Sequence, residues 1–420
     1  MNQHIICTDP LTEDALSVAV ERFLREVRPE RQRLFDYYRG EQPVNKGEAV
    51  RGRPNNLLRI PFPRYITEVH TGYFLGLPPT LSFPGAETNA AFASLSASLD
   101  LEHLLFDIGR DLSICGAGFA LVWADGSGLR ACRCDPLTCF TLRSPLAGNP
   151  LLGTVRLYLG EGGKTFGTVY QPDRLRRFLW DGSRIRWQDE EENLLGVLPL
   201  IPFANNCEGS GDFESVTGLV DAYNLLLSGA MDDMQSVANA FLALYGMQGT
   251  TQEDINAANR SRILALSEGG RAEFVVKNLN HDALAQLENN LRRSILQLSM
   301  TPDLSDESFA GNASGVALQY KLWGIEQVRA AKERSFTASL RQLLAALSAG
   351  MTLLGTPADL TGASITFYKN LPENHAEQVE MLLSLSDILS RRTILEQLPW
   401  VKDADAELQR KADETLSAEN

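Results

Sequence analysis

Residues 281–318 read "HDALAQLENNLRRSILQLSM" followed by "TPDLSDESFAGNASGVAL". In the first part Leu284, Leu287, Leu291, Ile295 and Leu298 recur at spacings of three and four, the period of an amphipathic helix over 281–301. Helical pattern resumes near residue 314 and runs to about 354. Between the two helices sit Pro302, Asp303, Asp306, Glu307, Phe309 and Gly311, with small polar residues filling the rest. Helix–helix connections are ordinarily about 2–8 residues long. A longer, acidic bridge with an aromatic at its tip therefore calls for an explanation.

Upstream, residues 213–244 carry a second long stripe: Val216, Leu219, Val220, Tyr223, Leu226, Leu227, Met234, Val237, Phe241 and Leu242. This helix holds Glu214, Asp221, Asp232 and Asp233 and no Lys or Arg. A free surface helix gains from mixing signs three and four residues apart. A solvated acidic face, a face paired to another element, and a face turned toward something negatively charged all fit that composition. Between the stripes, at 245–280, "RILALS" and "AEFVVKNL" flank Gly269-Gly270 and read as a small hairpin.

Further out, 11–40 reads as a helix broken near Pro29 and stopped by Gly40. Residues 41–63 are punctuated by Pro and Gly and read as extended. "RYITEVHTGYFLG" and 99–115 read as helices. From 116 to 203, "GFALVWAD", "TVRLYL", "FGTVYQ", "LRRFLW" and "SRIRWQ" alternate with Gly, Asp and Pro, the pattern of a mainly β region closed by "PLIPFANN". "ASITFY" near 363–368 reads as an isolated strand. Residues 373–420 read as helical and acidic, with eleven acids against five bases. From Glu21 to Arg64 the balance reverses, with eleven bases against six acids. That basic arm reads as a solvated face or as a contact for a neighbour's acidic surface.

At 420 residues, 44% hydrophobic and 22% charged, the chain is long enough for a large core and is not of disordered composition. No run of about eighteen apolar residues signals a membrane span, and no secretion signal opens the chain, so a cytosol-like compartment is expected. The net charge of −14 argues against a protein that grips nucleic acid through a broad basic footprint. It is compatible with one that lets DNA slide past.

Chemistry-bearing motifs are sparse. Gly163-Lys164-Thr165 ends like a phosphate loop, but position 158 is Tyr158 where that loop needs glycine, and a strand pattern follows; a hairpin turn fits better. "GSGDFE" at 209–214 lacks the third glycine of a dinucleotide fingerprint, and Asp212 or Ser215 reads as a helix cap. Cys132, Cys134 and Cys139 have the wrong spacing for zinc and read as reduced, mostly buried thiols. The five histidines form no nucleophile pattern. No catalytic residue, metal or cofactor is expected.

Several stretches together carry a resemblance. They are "YYRGEQPV" and "RPNNLLRIPFPRYITEVHTGYFLGLPP" near the start, and "GFALVWAD" and "VLPLIPFANNCEGSGDFESVTGLVDAYNLLLSGAMDDMQSVANAFLALYG" in the middle. "SILQLSMTPDLSDESFAGNASGVALQYKLWGIEQ" and "ITFYKNLPENHAEQVEMLLSLSDILSRRTILEQLPWV" follow. In order and spacing they resemble the portal proteins of long-tailed, siphovirus-type bacteriophages. The departures are Asn55-Asn56-Leu57-Leu58, where the family often has Asn-Asn-Arg-Leu, and a short C-terminal tail.

The resemblance implies an α+β portal fold assembled as a ring, usually of twelve subunits, with double-stranded DNA passing along its axis without sequence-specific binding. It implies an N-terminal helical arm (1–60), a β-rich wing (61–211), stem helices (212–244 and 281–301) framing a small α/β clip (245–280), a tunnel loop (302–314), a long spine helix (315–354), a wing return strand (355–372) and a helical crown (373–420). The partners it implies are terminase, scaffold and major capsid proteins, and a head-completion or tail adaptor, with no membrane. It places the protein at a capsid vertex of the virion, and in the host cytoplasm during assembly.

Mapped onto this chain, the DNA-facing loop candidates are Asp303, Ser305, Asp306, Glu307, Ser308, Phe309 and Asn312. The channel-lining stem candidates are Asp221, Asp232 and Asp233, and the adaptor contacts Gln248, Arg260, Arg262 and Lys277. A ring of loop acids would repel phosphates or hold the loops apart, with Gly311 and Gly315 allowing different loop heights. Two other readings compete: an enzyme with 302–314 as its lid, and a head or adaptor protein that forms no ring. The first needs convergent acid–base residues, and the second leaves the helix-framed insert unexplained.

Overall fold

The computed structural model describes residues 5–8, 10–47, 54–126, 128–160, 164–238, 241–245, 251, 253, 256, 271–275, 281–305, 315–370, 390–396 and 407–411. The chain divides into two units, Met1–Lys369 and Asn370–Asn420. Among the sequence candidates, Asp306, Glu307, Ser308, Phe309, Asn312, Gln248, Arg260, Arg262 and Lys277 lie outside the described residues, as do the "RILALS" half of the expected hairpin and most of the C-terminal helices.

In the first unit, β1 (Ile5–Ile6) leads to α1 (Glu13–Arg22), whose first turn is capped by Thr12 Oγ1 accepting from Ala15 N at 3.2 Å. The expected break near Pro29 is instead one wide turn. Arg28 N–H reaches back five residues to Phe23 O, and α2 (Arg28–Arg39) continues from there with Pro29 in its first turn, where no intrahelical N–H is needed. Gly40, at φ +82°, ends α2. Next come α3 (Phe62–Leu75), β2 (Thr80–Ser82), α4 (Ala86–Leu99) and α5 (Leu101–Cys115). The sequence pattern passed over α4: only Phe92 on it is fully buried, so it shows almost no stripe.

The β region supplies β3 (Ala117–Asp125), β4 (Gly128–Cys134), β5 (Cys139–Arg143), β6 (Leu151–Leu159), β7 (Thr165–Tyr170), β8 (Arg174–Trp180), β9 (Ile185–Glu192) and β10 (Leu200–Ala204). They form two sheets, ordered β1-β5-β6-β7-β8-β9 and β10-β3-β4. β6 and β7 pair antiparallel with Leu159 opposite Thr165, and Gly160 N donates to Lys164 O at 2.9 Å, consistent with a hairpin turn, while Gly163 itself lies outside the described residues. On the larger sheet, Phe140, Val155, Val169 and Phe178 pack against Leu16, Val20 and Phe23 of the N-terminal helix. On the smaller sheet, Ala120, Val122, Ile201 and Phe203 pack against Ile108 and Leu112 of α5 and against a long C-terminal helix.

A single 3₁₀ turn at Glu214–Val216 opens α6 (Thr217–Ala238). Here the structure differs from the sequence pattern. Residues 241–245 do not extend the helix but form β11 (Phe241–Tyr245), antiparallel to β12 (Arg271–Val275) with Phe241 opposite Val275. A five-residue apolar run cannot be told from a turn of helix by period alone, and the partner strand lies far along the chain. α7 (His281–Leu298) and α8 (Gly315–Leu353) follow, then β13 (Ser364–Thr366), which is not isolated: it pairs with β2, Ile365 opposite Leu81. The upper half of α8 is the spine of the core, with Phe336, Leu340, Leu343, Leu344 and Leu347 all buried.

In the second unit, α9 (Arg391–Glu396) is capped by Ser390 Oγ accepting from Thr393 N at 3.2 Å.

Candidate functional site

Along α6, positions 221, 224, 228, 232 and 235 recur every three or four residues and so form one line. Each holds part of the arm between 37 and 60. Tyr37 donates its hydroxyl to Asp221 at 2.7 Å. Ile60 N donates to Asn224 Oδ1 at 2.8 Å, Leu58 N to Ser228 Oγ at 2.9 Å, and Asn56 N to Asp232 Oδ1 at 2.8 Å. Asn56 Nδ2 reaches Asp232 Oδ1 and Gln235 Oε1, at 2.6 and 3.0 Å. Lys46 donates to Asp232 and, at 3.2 Å, to Ser228 O.

The arithmetic of this clasp is simple. Two residues of extended chain span about 6.6 Å, and four residues of helix rise about 6.0 Å. Every second N–H of an antiparallel extended segment therefore meets every fourth side chain of the helix. Hydrogen bonds from Lys46 and from Asn56 hold the Asp232 carboxyl below its usual range. Burial, and then the bond to Asp221, push the Tyr37 phenol up to about 12.

Two of the acids read from sequence as channel-lining are thus occupied by the chain's own basic arm. Asp233 is adjacent to Asp232, so it sits about 100° away around the helix and off this line.

At the far end of α7 the chain leaves the helix without a glycine. Met300 takes φ +54°, Thr301 N donates to Leu296 O at 2.9 Å and Met300 N to Gln297 O at 3.2 Å. This pair of bonds is the usual left-handed helix stop. The emerging strand is then pinned: Tyr65 donates its hydroxyl to Pro302 O at 3.0 Å and accepts from Leu304 N at 3.2 Å. Asp303 accepts from Arg292 Nη2 at 2.9 Å, and Ser305 donates its hydroxyl to Asp303 at 2.6 Å. Burial pushes the Asp303 carboxyl up, but the Ser305 and Arg292 contacts outweigh it and hold the acid below its usual range. Asp303 and Ser305 are therefore brought together at the root of the 302–314 segment.

Beneath that root lies a buried polar node that sequence reasoning missed. Asp212, expected as a helix cap, is instead paired with Lys332 of α8, both essentially inaccessible to solvent. Asn205 Nδ2 donates to Asp212 at 2.9 Å, and His70 Nδ1 stands 3.9 Å away. The other ring nitrogen, His70 Nε2, lies 3.1 Å from Ser299 O and 3.0 Å from Thr301 Oγ1. Burial pushes the His70 imidazole down to about 4. Burial also drives the Asp212 carboxyl up, but the neighbouring Lys332 and His70 more than offset it and keep the acid below its ordinary range.

Two glycines make this approach possible. A Cβ on Gly116, itself at φ +75°, would lie 2.0 Å from Gly209 O, and one on Gly211 would lie 2.4 Å from Ile114 O. The "GSGDFE" stretch thus lies backbone-to-backbone on the end of α5, which delivers Asp212 to the node. A second tie joins the same helices: Glu326 accepts from Tyr73 and pairs with Arg329 and Lys369.

Between α7 and the start of α8 is a cleft of about 730 Å³ lined by Asn289, Arg292, Arg293, Gln297, Asp303 and Lys321, among others. Among the described residues no group of His, Cys, Asp or Glu is arranged to hold a metal. Among them also, no helix is long and apolar enough to cross a membrane. The arrangement is one of anchors and ties, with a cleft at the loop root.

Over 228 residues the chain is 25% identical to the portal protein of Bacillus phage SPP1, covering 52% of this chain and 44% of that one. Over 214 residues it is 24% identical to the portal protein of Clostridium phage phiCD119, covering 50% and 46%. The matched stretch thus spans under half the length of either relative. A solved structure titled "Neck of native GTA particle computed with C12 symmetry" aligns with a TM-score of 0.47 at 12% identity, over 80% of this chain and 88% of that one. The model of the family described as "Phage portal protein, SPP1 Gp6-like" matches residues 24–420, nearly the whole length, and the chain belongs to that family.

Proposed function

We propose that this protein is the subunit of a ring-shaped channel at one capsid vertex, through which double-stranded DNA is packaged and later ejected. The observation that carries the reading is family membership across 24–420. The surface of the single chain supports it. Leu225, Met231 and Met234 on α6, Leu287 on α7, and Tyr320 and Trp323 on α8 are all exposed, the last two at 77% and 64%. Large apolar side chains gathered on three helices suit a protomer whose neighbours cover them. Closed cyclic symmetry is the usual outcome for identical subunits, and twelve is the copy number we propose.

In this reading the two sheets form the wing, and α6 and α7 the stem. The β11–β12 ribbon belongs to the clip that meets the head-completion or tail adaptor, and α8 is the spine. Residues 302–314 are the tunnel loop, and 373–420 the crown. Asp303, Ser305, Asp306, Glu307, Ser308, Phe309 and Asn312 approach DNA, and Asp233 is the stem acid placed to face the channel. Gln248, Arg260, Arg262 and Lys277 belong to the adaptor contact. The chain does no catalysis of its own; a separate terminase supplies the motor and docks on the ring. Scaffold and capsid proteins meet the assembling ring in the host cytoplasm, and the finished ring stays in the virion.

The test is packaging in extracts of infected cells lacking this protein. Adding the purified chain should restore nuclease-protected DNA inside heads. If protected DNA forms equally well without it, the reading is wrong.

A further inference from the structure

We propose that a cavity of about 350 Å³ between the two sheets and α8 binds a small organic anion, an apolar body carrying one carboxylate or phosphate head. The sequence makes this cavity by alternation. On β5, Phe140 and Leu142 go into the core with the N-terminal helix, so Thr141 and Arg143 stand on the opposite face of the sheet. On α8, Phe336, Leu340 and Leu343 fill the other core, while Ser335, Ala338, Ser339 and Gln342 share a second line at helical spacing. Gly116, Ala117 and Ala204 line the far side. Small side chains on both walls leave the space between them unfilled.

Arg143 and Arg31 line the cavity, and among the described residues no Asp or Glu does. Arg143 carries the proposal. Its Nη1 donates to Asn149 O at 3.0 Å, but its Nε is buried without a hydrogen-bond partner, and burial draws the guanidinium below its usual range. A buried charged donor without an acceptor is costly, and an anion that accepts from it recovers that cost. Arg31 is already committed: it donates to Pro136 O and Cys139 O at 2.6 and 2.8 Å, and its guanidinium lies over the rings of Phe23 and Phe119. Carbonyls take its hydrogens without cancelling its charge, so it adds positive potential and no contact. The acids that act on Arg31, Asp111 and Asp135, do not line the cavity, and Asp111 is held by Arg133. Glu208, next to Cys207, is exposed and also outside the lining.

The rest of the lining sets the class of ligand. The fork of Arg143 matches a carboxylate or phosphate, with the hydroxyls of Thr141 and Ser335 within the same lining. Phe119, Leu151, Pro202 and Phe203 supply apolar wall, which an inorganic ion would leave uncovered. A few convergent polar groups in a mainly apolar concavity of a few hundred cubic ångströms is the form of a small-molecule site.

The cavity carries its own reporter. Cys207 lines it and is exposed, whereas the other five cysteines are buried or half-buried. The experiment measures the rate at which a maleimide dye labels Cys207 in the full-length protein, as protomer and as assembled form, at constant ionic strength. Benzoate and phenyl phosphate are the probes, with benzyl alcohol and inorganic phosphate beside them. Both organic anions should slow labelling several-fold and saturably, and neither comparison compound should match them. Arg143→Gln should raise the concentration needed for protection about tenfold or more, the loss of one charge-assisted hydrogen bond, and Arg143→Lys should fall between. Ala338→Phe, from an exposed position on α8, fills the cavity and should abolish protection. Arg186→Gln, on the exposed face of β9, removes the same charge elsewhere and should change nothing.

The proposal is overturned if neither organic anion protects Cys207, or if benzyl alcohol protects as well as they do. It is overturned too if Arg186→Gln weakens protection as much as Arg143→Gln, or if protection survives in Ala338→Phe, which decides the matter even where Arg143→Gln does not fold. Equal protection by inorganic phosphate would assign the cavity to a simple ion. A Cys207 that labels in the protomer and is closed to the dye in the assembled form without any ligand would assign it to a neighbouring copy of the chain. Each of these results leaves the channel reading standing, since nothing here requires DNA to reach the cavity.

Discussion

Replacing Lys332 with methionine deletes the ammonium that neutralises Asp212 and keeps most of the side-chain stem. Both groups are nearly inaccessible to solvent, so the carboxylate left behind has neither a counter-ion nor water. Removing one partner of such a pair costs about 3–5 kcal/mol, while replacing both is often close to neutral. The expected loss for Lys332→Met in urea unfolding near neutral pH is therefore about 3–5 kcal/mol. The double variant Lys332→Met/Asp212→Asn should recover most of it, since the asparagine can still accept from Asn205. Because His70 joins the node to Ser299 and Thr301, amide hydrogen exchange around 299–304 should rise in the single variant and fall back in the double. The reasoning is refuted if the single variant stays within about 1 kcal/mol of the parent, or if the double variant is no better than the single.

Two further predictions follow from the same geometry. His70 titrates near 4 when folded and near the ordinary 6.5 when unfolded, so between those values only the unfolded chain holds the proton. Stability should fall by up to about 3 kcal/mol as pH drops through that window, with the Asp212 loss added only below about pH 4, and His70→Gln should flatten the fall. Asp232→Ala removes the acceptor of Lys46 and of two Asn56 donors, so exchange at the Asn56 amide should speed up several-fold, while the Ile60 amide on Asn224 changes less.

Much of this architecture was legible in the residues. Sustained stripes located α6, α7 and α8, and Gly- and Pro-punctuated β-branched runs located the strands, because those patterns are local. What was missed depended on distant chain. Phe241–Tyr245 pairs with Arg271–Val275, and Ser364–Thr366 with Thr80–Ser82, and no local period reports a partner far along the sequence. The acids of α6 were visible, and their lack of basic neighbours was a real signal. It pointed to a partner across space, which proved to be Lys46, Asn56 and Tyr37 of the arm. The basic surplus of residues 21–64 was the one sequence feature that hinted at this. Asp212 was misread as a cap because a short polar residue before a helix looks the same whether it caps or anchors. Met300 stops α7 in a conformation that favours glycine, so no glycine marked the site.

The central claim is that many copies of this chain close into a ring around a hole wide enough for duplex DNA. Mass measurement of the purified protein, with class averages from electron micrographs of the same sample, tests it directly. The account predicts a particle of about 560 kDa if twelve protomers of 46.3 kDa close with cyclic symmetry, with a central hole in axial views. A monodisperse particle at the protomer mass of 46.3 kDa, with no ring at micromolar concentration, would contradict it.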